Sequence, residues 1–443
     1  MRGPALTAFL VAALASCSGG AITPYNGTAG SASSVRHVST TKIKHVIIVV
    51  QENRSFNNLF YGFPGAKTVK YGFDTSGNKI KLQPIPLEVH WDAEHDSRGF
   101  FAACNGTGSI PGTDCQMNGF NKEWSCVISC PPNPTYAYVP HSETTPLFAI
   151  AKQYVLADEM YASNFDASSF ISHQYIIAGQ AKSAVDYPWG DWGCPGGKGD
   201  NINMVDAQRN ILSTYELACW NLTTLGDELD SAALPWAFYT SPVNSADGIW
   251  SAYQAIKHIY YGADWKKDVI TPQKKFFADV SGGKLRAVSW ITPTCANSDH
   301  SGCGSNTGPA WVASIVNAIG GSKYWDSTAI FIFWDDYGGW YDSEPPAYVD
   351  YDGLGIRVPL LIVSAYAKKG RVSHTHYEHG TILKFVEETF GLPAMAQSDS
   401  RADPPDDAFD FNKPPRKFEK IPSPLDIDYF LHQAPDLRPP DTE

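Results

Sequence analysis

The run Ile43-Lys44-His45-Val46-Ile47-Ile48-Val49-Val50 stops abruptly at five polar residues, Gln51-Glu52-Asn53-Arg54-Ser55. Its five consecutive β-branched residues, Val46–Val50, read as a strand buried on both faces, because side chains stiff at χ1 pack well on a pleated surface. The pattern recurs in shorter form at Pro235–Thr240, Leu285–Thr292, Ala329–Trp334 and Pro359–Ser364. Between these runs, helical spacing of apolar residues predicts helices over Pro146–Tyr154, Phe170–Ala178, Ile249–Tyr261, Pro309–Ile319 and Tyr377–Phe390. Strands alternating with helices imply an α/β, three-layer fold with a mostly parallel central sheet flanked by helices.

In such sheets, ligands bind outside the carboxyl ends of the strands. Glu52 and Asn53 follow directly on the first predicted strand, and Asp335 and Asp336 follow directly on "AIFIFW". Three carboxylates and an amide delivered to one sheet edge repel one another unless a cation lies among them, so one divalent metal ion is expected there.

The rest of the chain is organised around this sheet. With 443 residues, no internal repeat and no long low-complexity stretch, a single large catalytic domain over 42–392 is expected, with a Pro-rich C-terminal segment, 393–443, packed on it. Arg2 followed by the apolar run Ala5–Ala15 reads as an export signal, residues 1–17. Leu14-Ala15-Ser16-Cys17 is similar to the lipidation site of bacterial lipoproteins, which predicts a lipid anchor at Cys17, a tether over 18–41, and placement in the periplasm or at the cell surface. An ordinary signal peptide cut nearby is the alternative.

Eight further cysteines in an exported chain predict disulfides, and spacing suggests Cys104–Cys115, Cys126–Cys130, Cys194–Cys219 and Cys295–Cys303. The Gly-, Cys- and Trp-rich stretches Asp92–Pro140 and Tyr187–Ala207 read as stapled loops above the sheet. A formal charge of −12 without clustered Lys or Arg argues against a nucleic-acid partner.

Several residues could do chemistry. In "NFDASSFISHQYIIAGQ", Ser168 and Ser169 fall near a helix N-terminus, where free N–H groups and the dipole favour an anion. Either could attack phosphorus, or simply cap the helix. In "FWDDYGGWYD", Gly338-Gly339 predicts a tight turn exposing both aspartates, against the alternative of a helix cap. His95 and His300 lie in polar loops, where an imidazole can contact a phosphoryl oxygen or protonate a leaving group, though a solvated loop histidine is the plainer reading. His173, His376 and His379 fall in or beside helical patterns and read first as structural hydrogen-bonders. Arg54 could clamp phosphate or pair with a neighbouring carboxylate to order its loop. No G-x-S-x-G elbow, H-E-x-x-H, P-loop or G-x-G-x-x-G is present.

Taken in order, these segments resemble the bacterial phosphoesterase family that contains non-haemolytic phospholipases C and acid phosphatases. "HVIIVVQENRSFNNLFYG" is similar to that family's E-N-R-S-F-D-x-x-F-G opening. "SSFISHQYIIAG", "VSWITP" followed by "DHSG", "IFIFWDDYGGWYD", "GLGIRVPLLIVSAYAKKGRV" and "HYEHGTILKFVEETFG" resemble its later segments, over about Lys42–Leu392. The resemblance implies a fold akin to alkaline phosphatases, with Glu52, Asn53, Asp335 and Asp336 as metal ligands and Ser169 as nucleophile. It further implies His95 and His300 as groups that bind the phosphoryl group or act as general acid.

Ser172 stands where the family has Asn, which leaves Ser168 open as the nucleophile, and Asn57 stands where the family usually has Asp. The mechanism implied is metal-assisted attack by Ser169, protonation of the leaving group by a histidine such as His300, and hydrolysis of a phosphoserine, with a mildly acidic optimum. Broad-specificity acid phosphatase action on phosphomonoesters is the expected activity. Phospholipase C action on phospholipid head groups is the alternative, and a non-catalytic surface lipoprotein a remote one. Trp124, Trp189, Trp192 and Tyr187 could wall in a lipid or aryl leaving group, or merely pack.

Overall fold

The computed structural model describes residues 42–125, 130–243 and 246–434. The export-signal and lipid-anchor expectations, and the Cys126–Cys130 pairing, therefore lie outside the described residues.

A nine-stranded central sheet and a smaller three-stranded one frame the site. Their strands are β1 (His45–Gln51), β2 (Val155–Tyr161), β3 (Ala184–Val185), β4 (Asn201–Val205), β5 (Ile211–Leu217) and β6 (Trp236–Tyr239). Then come β7 (Val269–Ile270), β8 (Val288–Ile291), β9 (Thr328–Trp334), β10 (Arg357–Ser364), β11 (Arg371–Ser373) and β12 (Tyr377–Glu378). The central sheet runs in the order β7-β6-β8-β1-β9-β10-β2-β11, with β12 also pairing β2. Every pairing in it is parallel except those of β10, which runs antiparallel to both β9 and β2.

The sheet is covered by α1 (Thr145–Gln153), α2 (Ser169–Ala178), α3 (Gly308–Gly320) and α4 (His379–Phe390), among other helices. Burial explains the strand composition. All seven residues of β9 and all eight of β10 are buried, so alternation of polar and apolar residues is absent and each Val, Ile or Leu contributes roughly 1.5–3 kcal/mol. The helix α2 is entirely buried, so its polar residues Ser169, Ser172, His173 and Gln174 meet partners inside the protein and not solvent.

Three expectations need correction. β2, "VLADEMY", does not read as a strand from sequence, because Asp158 and Glu159 interrupt its apolar pattern. Asp158 accepts from Lys67 N–H and from His374, and Glu159 pairs with Lys67 and the Tyr161 hydroxyl, so both acids are buried with partners. Ile249–Tyr261 is not one helix but two 3₁₀ turns, Ala246–Trp250 and Ala252–Ala255, and the short helix Lys257–Tyr260. The stretch read as a loop from Tyr187 carries part of the three-stranded sheet, β3-β4-β5, and Asp92–Pro140 holds a helix, Ser97–Cys104.

Disulfides Cys104–Cys115, Cys194–Cys219 and Cys295–Cys303 are present. Phe409, Ile421 and Phe430 join the main hydrophobic core. Among the described residues, no helix is long and apolar enough to cross a membrane.

Candidate active site

β1 and β9 are parallel neighbours with Val50 opposite Phe333 and Gln51 opposite Trp334. One further bond, Asp335 N–H to the Gln51 carbonyl at 3.0 Å, extends the pairing past the strand ends. Register alone therefore brings Glu52 and Asn53 beside Asp335 and Asp336, with 282 positions separating Asn53 from Asp335.

The Asn53 N–H donates to Asp335 Oδ1 at 3.1 Å. Asn53 has a left-handed backbone, φ 55°, a conformation that asparagine tolerates better than most side chains. Its Nδ2 lies 2.8 Å from His95 Nε2, 3.1 Å from Asp336 Oδ2 and 3.3 Å from Ser169 Oγ. The turn after the aspartates makes this approach possible. Gly338 has φ +59°, donates its N–H to Asp336 Oδ1 at 2.7 Å, and sits where a Cβ would be 2.2 Å from the Asn53 carbonyl oxygen.

Ser169 is the first residue of α2, and its hydroxyl donates to Asp336 Oδ2 at 3.2 Å. Ser168, the N-cap, donates its hydroxyl instead to the Asp186 carbonyl at 2.7 Å. Of the two serines, Ser169 faces the acidic cluster. Ala167, just before them, has φ 53°, a strained turn for alanine that swings the serines onto the sheet edge.

One helical turn on, the same face of α2 presents His173, with Nε2 3.1 Å from Glu52 Oε1 and 3.7 Å from Asp335 Oδ2. Burial lowers the His173 pKa against the pull of Asp335, and the ring also hydrogen-bonds the Trp250 backbone. A neutral imidazole oriented by a backbone partner and facing two carboxylates is suited to ligate a metal. The helical pattern alone places His173 among structural hydrogen-bonders; the signal available was its spacing of four from Ser169.

Chemistry argues for a cation here. Burial, then the neighbouring Asp335, pushes the Asp336 pKa well above the usual carboxylate range. Asn53 Oδ1 and Asp335 Oδ2 are buried oxygens with no hydrogen-bond donor among the described residues, each an uncompensated cost of about 1–3 kcal/mol. Glu52, His173 and Asp335 bring ligand-type atoms within 4.8 Å of one another, a set of oxygen donors with one imidazole that could hold a divalent ion.

A second cluster stands on the other side of Asn53. Asp92, His95 and His300 bring ligand-type atoms within 4.8 Å of one another. His95 Nδ1 donates to the Ala93 carbonyl at 2.7 Å, which leaves Nε2 as the acceptor facing Asn53 and the Ser169 side. The His300 ring lies 5.9 Å from that of His95 and 6.0 Å from that of Trp250; its Nδ1 contacts the Ser301 carbonyl and lies 3.8 Å from Asp92 Oδ2. Sequence reasoning misses Asp92, although it precedes His95 by three residues.

The Arg54 guanidinium is wholly buried, donates from Nε to the Asp299 carbonyl at 2.7 Å, and stacks 4.6 Å over Trp340, contacts that order its loop. Burial lowers its pKa to about 10, which leaves it charged at neutral pH. His379 is buried with its pKa lowered to about 4 by burial, and accepts from Ser163 N–H at 3.4 Å. His376 stacks on Tyr161. Asn57 accepts from Val69 N–H at 2.7 Å, and its own N–H donates to Asp342, so it orders the loop without touching the acidic cluster.

A family model described as the Phosphoesterase family matches residues 43–393. The chain belongs to this family. Relatives of this phosphoesterase include phospholipase C B of Mycobacterium tuberculosis, 22% identical over 85% of this chain and 79% of that one. The hemolytic phospholipase C of Pseudomonas aeruginosa is 23% identical over 81% of this chain and 54% of its own length. Non-specific phospholipase C1 of Arabidopsis thaliana is 23% identical over 79% and 67%. Among solved structures, a protein in the alkaline phosphatase superfamily from Vibrio parahaemolyticus aligns with TM-score 0.39 and 11% identity, over 84% of this chain and 73% of that one. The phosphoesterase is a phosphoric ester hydrolase.

Proposed function

We propose that this phosphoesterase cleaves a phosphodiester of phospholipase C type, transferring the phosphorylated head group to Ser169 and then to water. The observation that carries it is the convergence of Ser169 Oγ on Asp336 Oδ2 and Asn53 Nδ2, at 3.2 and 3.3 Å, at the N-terminus of a buried helix. Glu52, Asn53, Asp335, Asp336 and His173 would hold a divalent ion, which when bound would supply Lewis-acid stabilisation of the negative charge on phosphoryl oxygens.

The side chains do the remaining work. The Ser169 proton passes to Asp336 Oδ2, its existing acceptor, as Oγ bonds to phosphorus. The free N–H groups at the start of α2 and the Asn53 amide steady the equatorial oxygens. The bond from phosphorus to the lipid oxygen breaks, and His300 gives that oxygen its proton. His300, now neutral, takes a proton from water as the water attacks the phosphoserine. The head-group phosphate leaves, and Ser169 recovers its proton from Asp336.

The names of the relatives support a diester over the phosphomonoester substrate expected of an acid phosphatase. The test compares initial rates of the purified protein on phosphatidylcholine and on an aryl phosphomonoester. The diester is expected to turn over faster, and Ser169→Ala to lower both rates by about a thousandfold or more. A phosphomonoester preferred tenfold restores the acid phosphatase reading, and turnover that survives Ser169→Ala removes Ser169 as nucleophile.

A further inference from the structure

Of the thirteen tryptophans in the chain, two stand open to solvent, Trp124 at 59% exposure and Trp189 at 56%. Both are tied to the segment that carries His95. The Glu94 N–H donates to the Trp124 carbonyl at 2.8 Å, and Ala93 bridges Ser125, so Trp124 flanks the histidine from one side. On the other side, Asp186 accepts from Ser97 N–H at 2.9 Å through its side chain and from Ser168 Oγ at 2.7 Å through its carbonyl. Trp189 follows Asp186 by three residues, a reach of about 10 Å at most.

Trp189 does not stand alone. Its N–H donates to the Asn201 carbonyl at the start of β4, and its ring lies 5.0 Å from that of Tyr215 on β5. Tyr215, Ile211 and Leu212 on the same strand are exposed at 54%, 45% and 37%. By contrast, Trp192 is buried against Phe170, so of the aromatic residues that could wall a substrate it belongs to the interior.

An isolated surface tryptophan has many explanations; two tethered to the segment that carries His95, one of them beside a strand that exposes Ile211, Leu212 and Tyr215, form a rim. Indole and phenol rings, apolar in body with one polar edge, are the side chains that prefer the water–lipid boundary. Charge selects the lipid. The chain carries a formal charge of −12, which disfavours an anionic bilayer, and two of the cations near the rim are paired within the protein, Arg98 with Glu94 and Asp96, each at 3.0 Å, and Lys182 with Glu216. Such a surface matches a zwitterionic bilayer and not an anionic one.

We propose that Trp124, Trp189 and Tyr215, with Ile211 and Leu212, seat the mouth of the active site on the surface of a zwitterionic phospholipid bilayer. This rests on the phospholipid reading of the site and adds to it the surface by which the enzyme meets its substrate. The test is co-sedimentation of the full chain with phosphatidylcholine vesicles, with Cys17→Ser in every arm so that no acyl chain contributes.

Trp124→Ala/Trp189→Ala is expected to weaken binding about tenfold or more and to slow vesicle hydrolysis in proportion, with far less loss on a monomeric short-chain phosphatidylcholine. A thermal unfolding midpoint near that of the parent shows that the variant folds. The Ser169→Ala chain should bind vesicles as the parent does. Vesicle binding without hydrolysis of any ester by the parent upholds the rim and removes the phospholipase reading. Hydrolysis of the soluble diester without vesicle binding, binding indifferent to both tryptophans, or binding only to phosphatidylserine vesicles that salt abolishes, overturns the rim.

Discussion

At the scale of single residues, the polar residues that end β1 divide into two sets. Glu52 and Asn53 face His173, Asp335 and Asp336, whereas Gln51 and Arg54 grip the loop that bears His300. The Gln51 amide donates to the Asn297 carbonyl at 2.9 Å and accepts from Asp299 N–H at 3.0 Å, and Arg54 adds its bond to the Asp299 carbonyl. Gln51→Ala is therefore expected to lower kcat by about tenfold with KM little changed, because a misplaced His300 affects proton transfer and not binding. Steady-state kinetics on a soluble diester read this split, and a pure KM effect contradicts it. Gly338→Ala should be harsher. A Cβ 2.2 Å from the Asn53 carbonyl oxygen, on a φ of +59°, must displace Asn53 or the turn, so kcat/KM is expected to fall about a hundredfold while the melting temperature drops only a few degrees. Wild-type kinetics in that variant would mean the turn is free to relax.

Among elements, the decisive pairing is β1 with β9, because its register sets Glu52 beside Asp335 with no help from sequence proximity. A slip of one residue would exchange the two faces of β1 and carry Glu52 and Asn53 out of line with Asp335 and Asp336. The helix α4 carries a separate consequence. Glu387 is buried and its carboxyl hydrogen-bonds Asp399; burial, and then Asp399, raises its pKa to about 9. The folded chain thus holds a proton that the unfolded chain releases near the ordinary glutamate value, so stability is greatest below that value and is lost as pH rises toward 9. Glu387→Gln should flatten the decline in denaturant midpoint between pH 5 and pH 8, a range of about three units over which the parent declines. An equal slope in both proteins would assign the decline to other groups.

For the whole molecule, the parallel core and the acids at its edge were legible because β-branched runs and the polar residues that end them are local signals. β2 was not, since its buried acids take partners such as Lys67 and His374 that are distant in sequence. The same holds for His173 and Asp92, whose roles depend on which carboxylate or ring the fold brings opposite them, and for Arg54, whose partners are backbone carbonyls that no motif announces. A chelator should remove activity, and because the buried Asp335 and Asp336 then repel without a counter-charge, it should also lower the melting temperature. Asp335→Asn, which relieves that repulsion, is expected to shrink the chelator's effect on melting while abolishing turnover; calorimetry with and without chelator reads both.

The most direct measurement is an acid quench of the enzyme during turnover, followed by mass spectrometry of the peptide spanning Ser168 and Ser169. A phosphoryl or phosphorylated head-group adduct on Ser169, absent from Ser169→Ala, is the predicted result. An adduct on Ser168 or on a histidine, or none at any quench time while product accumulates, contradicts it.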